Sequence, residues 1–119
     1  MIKILIVDDS RTARLLIRVH MPAAATVDLH EASDWISALE QGRALGPDLV
    51  ILDYNMPEKN GVDIGRAMMA VGIAARYVLL TANTQRTVIE AAQAAGFAAI
   101  VSKPITTTKL TELLQDLAP

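Results

Sequence analysis

Cysteine is missing from all 119 positions, which removes disulfide staples, thiolate zinc sites and cysteine nucleophiles at once. Aromatic residues are scarce at 3%. A strong charge of either sign is missing too. Eleven Lys and Arg against 13 Asp and Glu leave a net −2, too little for a basic nucleic-acid footprint or an acidic disordered tail. Long apolar runs are absent although 52% of the residues are hydrophobic. The stretch 67–75 is closed by Arg66 and Arg76, and nothing approaches the ~18 apolar residues of a membrane helix. Residues 1–7 run straight into Asp8-Asp9 with no small-residue cleavage site, so no signal peptide is expected. The expectation is a soluble, cytoplasmic chain forming one domain over 1–119, with no membrane insertion. Such a length buries roughly two thirds of its unfolded-chain surface.

What is present is alternation. Strand-length apolar runs at 2–7, 27–31, 49–52, 77–80 and 98–102 are separated by segments of helical spacing. Three of these runs are nearly pure aliphatic, as strands covered on both faces should be. Ser10 can cap a first helix, whose spaced apolar residues include Leu15, Leu16 and Val19 and which Pro22 ends. Ser33 and Asp34 can cap a second, running out near Gly42. A third spans 62–71 and stops at Gly72, and a fourth spans 84–95 and ends at Gly96, a natural left-handed cap. A fifth begins near Thr106 and carries Leu110, Leu113, Leu114 and Leu117. Five β-α repeats predict an α/β fold: a doubly wound parallel sheet between two helix layers, with right-handed crossovers. Ligands in such folds bind beyond the carboxyl ends of the strands.

That rim is where the polar residues gather. The first strand ends in Asp8-Asp9, the third in Asp53, the fourth in Thr81 and the fifth in Lys103-Pro104. Three carboxylates meeting there would repel and raise one another's pKa values unless a cation neutralised them. An oxygen-only set without His or Cys points to Mg²⁺. A cation flanked by a lysine and a threonine hydroxyl makes a cradle for a transferring phosphoryl group, with Asp53 as the nucleophile and an acyl phosphate as the product.

Asp53-Tyr54-Asn55-Met56-Pro57 followed by Gly61 resembles the signature of response-regulator receiver domains. Asp8-Asp9-Ser10, Thr81-Ala82 and Lys103-Pro104 resemble it as well, at separations of 44, 28 and 22 residues along Asp9, Asp53, Thr81 and Lys103. The likeness covers essentially the whole chain. It implies the flavodoxin-like (βα)5 three-layer sandwich with strand order 2-1-3-4-5, as in CheY-like single-domain regulators. It also implies that Asp53 accepts phosphate from a histidine kinase or a histidine phosphotransfer protein. Asp8, Asp9, Asp53 and the backbone carbonyl of Asn55 would hold Mg²⁺, for which Mn²⁺ could substitute. Lys103 would contact the phosphoryl oxygens. Thr81 and the Ala82 amide would bind the phosphoryl group, Thr81 reporting its presence. Lys103-Pro104 would be a cis peptide, the only inexpensive place for one. Output would pass through the fourth helix, fifth strand and fifth helix, where Ala91, Ala92, Ala94 and Ala95 would let a partner helix approach closely. Chemotaxis or motor control is one such output, a phosphorelay another.

The chain departs from the family pattern at Ile100, where the family often carries Tyr or Phe that turns inward with the threonine. Asn55 and Asn83, two residues after Asp53 and Thr81, occupy positions that govern water access and hence phosphoryl lifetime; two small amides should leave that path open. Taken singly, each feature has an ordinary structural reading: an acidic helix start at Asp8-Asp9, a polar strand end at Asp53, a β-branched strand residue at Thr81, a loop marker at Lys103-Pro104. Their convergence carries the functional one. His20 and His30 read as helix-end and strand residues, the Met68-Met69 pair as packing, and Trp35 as either packed or exposed.

Three rival readings remain at this stage. An aspartyl-nucleophile phosphatase of the haloacid-dehalogenase type would carry Asp-x-Asp after its first strand, whereas Asp53-Tyr54-Asn55 follows the third and lacks the second acid. The expectation is therefore self-phosphorylation and autodephosphorylation only. A flavin module would meet repulsion between Asp8-Asp9 and the flavin phosphate. A receiver excised from a larger regulator or hybrid kinase stays open; as read, the chain ends after the fifth helix with no output domain.

Overall fold

A computed structural model describes residues 1–82 and 84–116. Its five strands are β1 (Ile2–Val7), β2 (Val27–Ala32), β3 (Leu49–Asp53), β4 (Arg76–Thr81) and β5 (Ala99–Ser102). They alternate with α1 (Arg11–His20), α2 (Trp35–Leu45), α3 (Gly61–Ala70), α4 (Arg86–Ala95) and α5 (Thr107–Asp116). The sheet is parallel throughout, in the order β2-β1-β3-β4-β5. The fold is thus the flavodoxin-like (βα)5 arrangement. The three aliphatic strands β1, β3 and β4 are the central ones, and mixed-polarity β2 and short β5 form the edges, as burial on both faces requires.

Strand alternation divides the core in two. Leu5, Val7, Val50, Leu52, Tyr77 and Leu79 point to one face, where Ala38, Ile64, Met68, Val88 and Ala92 of α2, α3 and α4 cover them. Ile4, Ile6, Leu49, Ile51, Val78 and Leu80 point to the other, beneath Ile17 of α1 and Leu110 and Leu113 of α5. Polar caps start the helices where the sequence supplies them. Ser10 Oγ accepts from the Ala13 amide at 3.2 Å, Asp34 Oδ1 from Ser37 at 2.7 Å, and Asn60 Oδ1 from Asp63 at 2.9 Å. Gly96, with φ 98°, closes α4.

Two helices differ from the sequence reading. α2 does not run out near Gly42; it continues to Leu45 and closes at Gly46. Gly42 sits inside the helix at a close approach, where a Cβ would lie 2.7 Å from Ile73 Cδ1 and 3.0 Å from Met68 Cε and those side-chain ends would have to shift. On α1 the inward stripe is Ala13, Arg14, Ile17 and His20, at helical spacing, with Ile17 buried. Leu15, Leu16 and Val19 flank that stripe and are exposed at 57%, 46% and 67%. Leu117 lies outside the described residues.

Candidate functional site

The carboxyl ends of the strands bring the chemistry-bearing residues to one rim. Asp8 follows β1 and is 1% exposed, Asp53 ends β3 at 4%, and Thr81 ends β4 fully buried. Asp9 is exposed beside them. One carboxylate oxygen from each of Asp8, Asp9 and Asp53 lies within 4.8 Å of the others. From the loop after β5, Lys103 Nζ reaches within 2.7 Å of Asp53 Oδ1. The contact is an ion pair without hydrogen-bond alignment, so that oxygen keeps unused acceptor capacity.

Each element holds its residue by backbone as well as by side chain. The Asp8 amide donates to Ala32 O of β2 at 3.1 Å, and Asp8 Oδ1 accepts from the Ser10 amide at 2.9 Å. Asp53 stands opposite Leu80 in the β3–β4 register, and the Tyr54 amide donates to Leu80 O at 3.0 Å. Beyond it the loop folds back, the Gly61 amide donating to Tyr54 O at 2.9 Å. Gly61 is obligatory: a Cβ there would sit 2.3 Å from Asp53 O. The Lys103 amide donates to Thr81 O at 2.9 Å, tying the β5 end to the β4 end, and the Lys103-Pro104 peptide is cis. Lys109 Nζ pins the same loop through Ser102 O and Pro104 O, at 2.8 and 2.9 Å.

Burial pushes the Asp8 carboxyl up from 3.8 to about 6. The Ser10 amide and the Lys103 ammonium oppose this, and the charges of Asp53 and Asp9 add to it. Asp8 Oδ2 is buried with no hydrogen-bond partner, an arrangement that disfavours the carboxylate until something positive meets it. A hard divalent cation fits that need. The donors are all oxygen, and one from each carboxylate lies near enough to the other two for a single ion to be shared among them. Asp8, Asp9 and Asp53 could therefore hold one.

The remaining sequence candidates fall around this core. Asn55 is exposed on the loop two residues past Asp53, and Ala82 is exposed just past Thr81. Asn83 lies outside the described residues. Ile100 stands opposite Leu79 in the β4–β5 register, half-buried against the α2–α3–α4 side of the core. On α4, Ala92 is fully buried and packs inward, so it cannot contribute to a partner surface; Ala94 is exposed, and Ala91 and Ala95 are half-buried. The reason is helical spacing, since Ala92 continues the stripe begun by Val88. Neither histidine joins the cluster: His20 Nδ1 lies 2.8 Å from Leu16 O, and His30 stands on edge strand β2 beside Asp28. Met68 is core.

Trp35, undecided from sequence, packs half-buried against the core and ties α2 to the loop after β3. Its Nε1–H donates to Glu58 Oε2 at 2.9 Å, and Lys59 Nζ lies 5.1 Å from the ring centroid. Glu58 adopts φ 70°, an uncommon backbone conformation for a non-glycine residue. Two residues at the site escaped sequence reasoning altogether. Arg14 Nη1 donates to Asp8 O at 2.7 Å, and Glu31 holds Arg14 Nε at 2.7 Å. Their separation of 17 residues gives no local pattern to read.

Known proteins share this arrangement. Residues 4–115 match the family model described as the response regulator receiver domain. The chain is 32% identical over 112 residues to Protein CcdB of Bacillus subtilis (strain 168), covering 94% of this chain and 93% of that protein. It is 35% identical over 118 residues to protein-glutamate methylesterase/protein-glutamine glutaminase 5 of Myxococcus xanthus (strain DK1622), covering 98% of this chain but 33% of that protein. The solved structure of Vibrio cholerae chemotaxis protein CheY4 superimposes with a TM-score of 0.89 at 26% identity, covering 99% of each chain. Among the described residues, no helix is long and apolar enough to cross a membrane. With its fold, its rim of acids and its match across residues 4–115, the chain belongs to the response regulator receiver domain family.

Proposed function

We propose that residues 1–119 act as one cytoplasmic phosphoacceptor unit that takes a phosphoryl group on Asp53 and signals by phosphorylation-dependent partner binding. The observation that carries this is the pairing of a buried Asp53 with Lys103 at 2.7 Å, beside an Asp8 oxygen that has no protein partner. The phosphodonor is a phosphohistidine on a kinase or phosphotransfer protein. An Asp53 oxygen attacks the phosphorus, the O–P bond forms as the P–N bond breaks, and the imidazole leaves with a proton. Lys103 follows the charge on the phosphoryl oxygens. Thr81 and the Ala82 amide, at the neighbouring strand end, donate to them. Asp8, Asp9, Asp53 and the Asn55 carbonyl would hold Mg²⁺, which when bound would supply positive charge against the transferring group. The protein turns over only its own phosphoryl group.

The exposed Leu15, Leu16 and Val19 of α1 support a donor that docks beside the rim, since the groove between α1 and the loop after β5 is lined by Leu16, Lys103, Pro104 and Ile105. Output leaves by the α4-β5-α5 face, where Ala91, Ala94 and Ala95 offer small side chains. The cover of 93% of one relative supports a free-standing regulator. The match to a third of a methylesterase favours a second reading, in which the same unit drives an attached output domain. The apparent size of the native protein on an immunoblot separates these two.

The test of the shared reading is incubation with acetyl phosphate and Mg²⁺. Intact mass should show one added phosphate, labile to alkali, that is absent in Asp53→Asn. Undiminished labelling of that variant would name a different nucleophile.

A further inference from the structure

Nearly every polar atom of Asp8 is committed. Its amide donates to Ala32 O at 3.1 Å, its Oδ1 accepts from Ser10 at 2.9 Å, and its carbonyl accepts from Arg14 Nη1 at 2.7 Å. Oδ2 is left buried and unpartnered, and the residue belongs to the acidic cluster with Asp9 and Asp53. Phosphoryl chemistry accounts for Oδ2 and says nothing of the carbonyl contact. Arg14 lies on α1 with its side chain only 15% exposed. Its Nε donates to Glu31 Oε1 at 2.7 Å, while Arg18 Nε takes the other oxygen of Glu31 at 2.5 Å. Glu31 belongs to β2, and Gln41 Nε2 fixes its carbonyl at 2.7 Å. The two arginines keep the Glu31 carboxyl below its ordinary value, so the clamp stays charged.

We propose that Arg14, held in place by Glu31, is a positioning residue for the acidic site. It fixes the Asp8–Asp9 peptide so that the Asp8 carboxylate stays beside Asp9 and Asp53, which a lysine could not do. A planar guanidinium offers two divergent donors at a fixed angle, one for the carboxylate and one for the carbonyl; an ammonium is a point charge. The proposal rests on the Mg²⁺ reading above, and its sign separates it from simple electrostatics. A cation beside three carboxylates weakens metal binding by Coulomb repulsion, so its removal should tighten Mg²⁺ if charge were its only role. If it positions the ligands, removal loosens Mg²⁺, as loss of groups behind metal ligands generally does. Arg18 supplies the control: it shares the Glu31 carboxylate and bears the same charge, but its other donor goes to Leu29 O.

The experiment is calorimetric titration of MgCl₂ into wild type, Arg14→Met, Arg14→Lys and Arg18→Met at neutral pH, with melting curves in chelator recorded beside it. Arg14→Met and Arg14→Lys should both bind Mg²⁺ about tenfold more weakly, and Arg18→Met should stay within about twofold of wild type. Tighter or unchanged binding by Arg14→Met overturns the proposal. So does wild-type binding by Arg14→Lys, or an Arg18→Met loss as large as that of Arg14→Met. A lower metal-free melting temperature with unchanged affinity marks a structural role only and overturns it as well. Failure of the wild type itself to bind Mg²⁺ would strike the phosphoacceptor reading, and this proposal with it.

Discussion

Lys103 Nζ stands 2.7 Å from Asp53 Oδ1, yet the lysine side chain is 32% exposed and the aspartate 4%. The ammonium thus reaches a buried carboxylate from the solvent side, through a flexible stem. A point charge held this way can move with an oxygen as charge builds outward from Asp53. The same geometry leaves Asp8 without a counter-charge of its own, and the first prediction follows from that asymmetry.

Asp8 should make the metal-free protein less stable as pH rises. Its folded pKa of about 6 exceeds its ordinary 3.8, so the folded state holds the proton more tightly than the unfolded chain does. The penalty is absent below 3.8, grows between 3.8 and 6, and is complete above 6. The gap corresponds to about 3 kcal/mol. In chelator, Asp8→Asn should therefore be more stable than wild type at pH 7, and the difference should vanish toward pH 4. Urea unfolding at several pH values measures it. A variant less stable than wild type at pH 7 would refute the assignment.

Millimolar Mg²⁺ should narrow that gap. Cation binding requires the Asp8 carboxylate, so the wild-type gain in melting temperature should shrink below about pH 6 as the proton competes. At a tenfold excess over its dissociation constant, the ion contributes roughly 1.4 kcal/mol. Asp8→Asn should gain much less at any pH, and an equal gain would contradict the site.

Gly61→Ala should damage both the fold and the site. The new Cβ would lie 2.3 Å from Asp53 O and 2.9 Å from Asp53 C, and backbone cannot yield as a side chain can. A loss of about 2 kcal/mol or more is expected in urea, with slower labelling by acetyl phosphate. At Gly65 the obstruction is the Phe97 ring, 2.5 Å away on the helix side. Gly65→Ala should be destabilised yet label at the wild-type rate. Equal labelling rates for both variants would show that Gly61 does not set the Asp53 carbonyl.

Thr81→Ala should accept phosphate but fail to pass the signal on. Thr81 is fully buried at the end of β4, and Ile100 is half-buried opposite Leu79 on the strand beside it. If Thr81 moves inward on phosphorylation, it would vacate space that Ile100 and the start of α4 would fill. Hydrogen exchange over Arg86–Ala95 should change when beryllofluoride is added to wild type and stay unchanged in Thr81→Ala. A coupling of about 1–3 kcal/mol is typical of such switches. Identical exchange changes in both proteins would route the signal elsewhere.

The layout of this fold was readable because its central strands are unmixed. Residues 2–7, 49–52 and 77–80 announce burial on both faces, and the residues that break each run are the ones at the rim: Asp8, Asp53 and Thr81. Side-chain direction within a helix was less legible. Leu15, Leu16 and Val19 look like a core stripe, but Ile17 takes that place, and its face was hard to read because polar Arg14 and His20 share it. Gly42 reads as a stop and serves instead as a point of close packing. The Arg14–Glu31 clamp was invisible, since nothing in a linear pattern joins a helix residue to a strand residue 17 positions on.

The most direct test of the account is to trap the acyl phosphate. After treatment with acetyl phosphate and Mg²⁺, borohydride reduces an aspartyl phosphate to homoserine, which peptide mass mapping locates. Homoserine should appear at position 53 alone, and should disappear when Mg²⁺ is chelated before acetyl phosphate is added. Reduction at Asp8 or Asp9, or at no aspartate in a sample that has gained phosphate, would contradict the account.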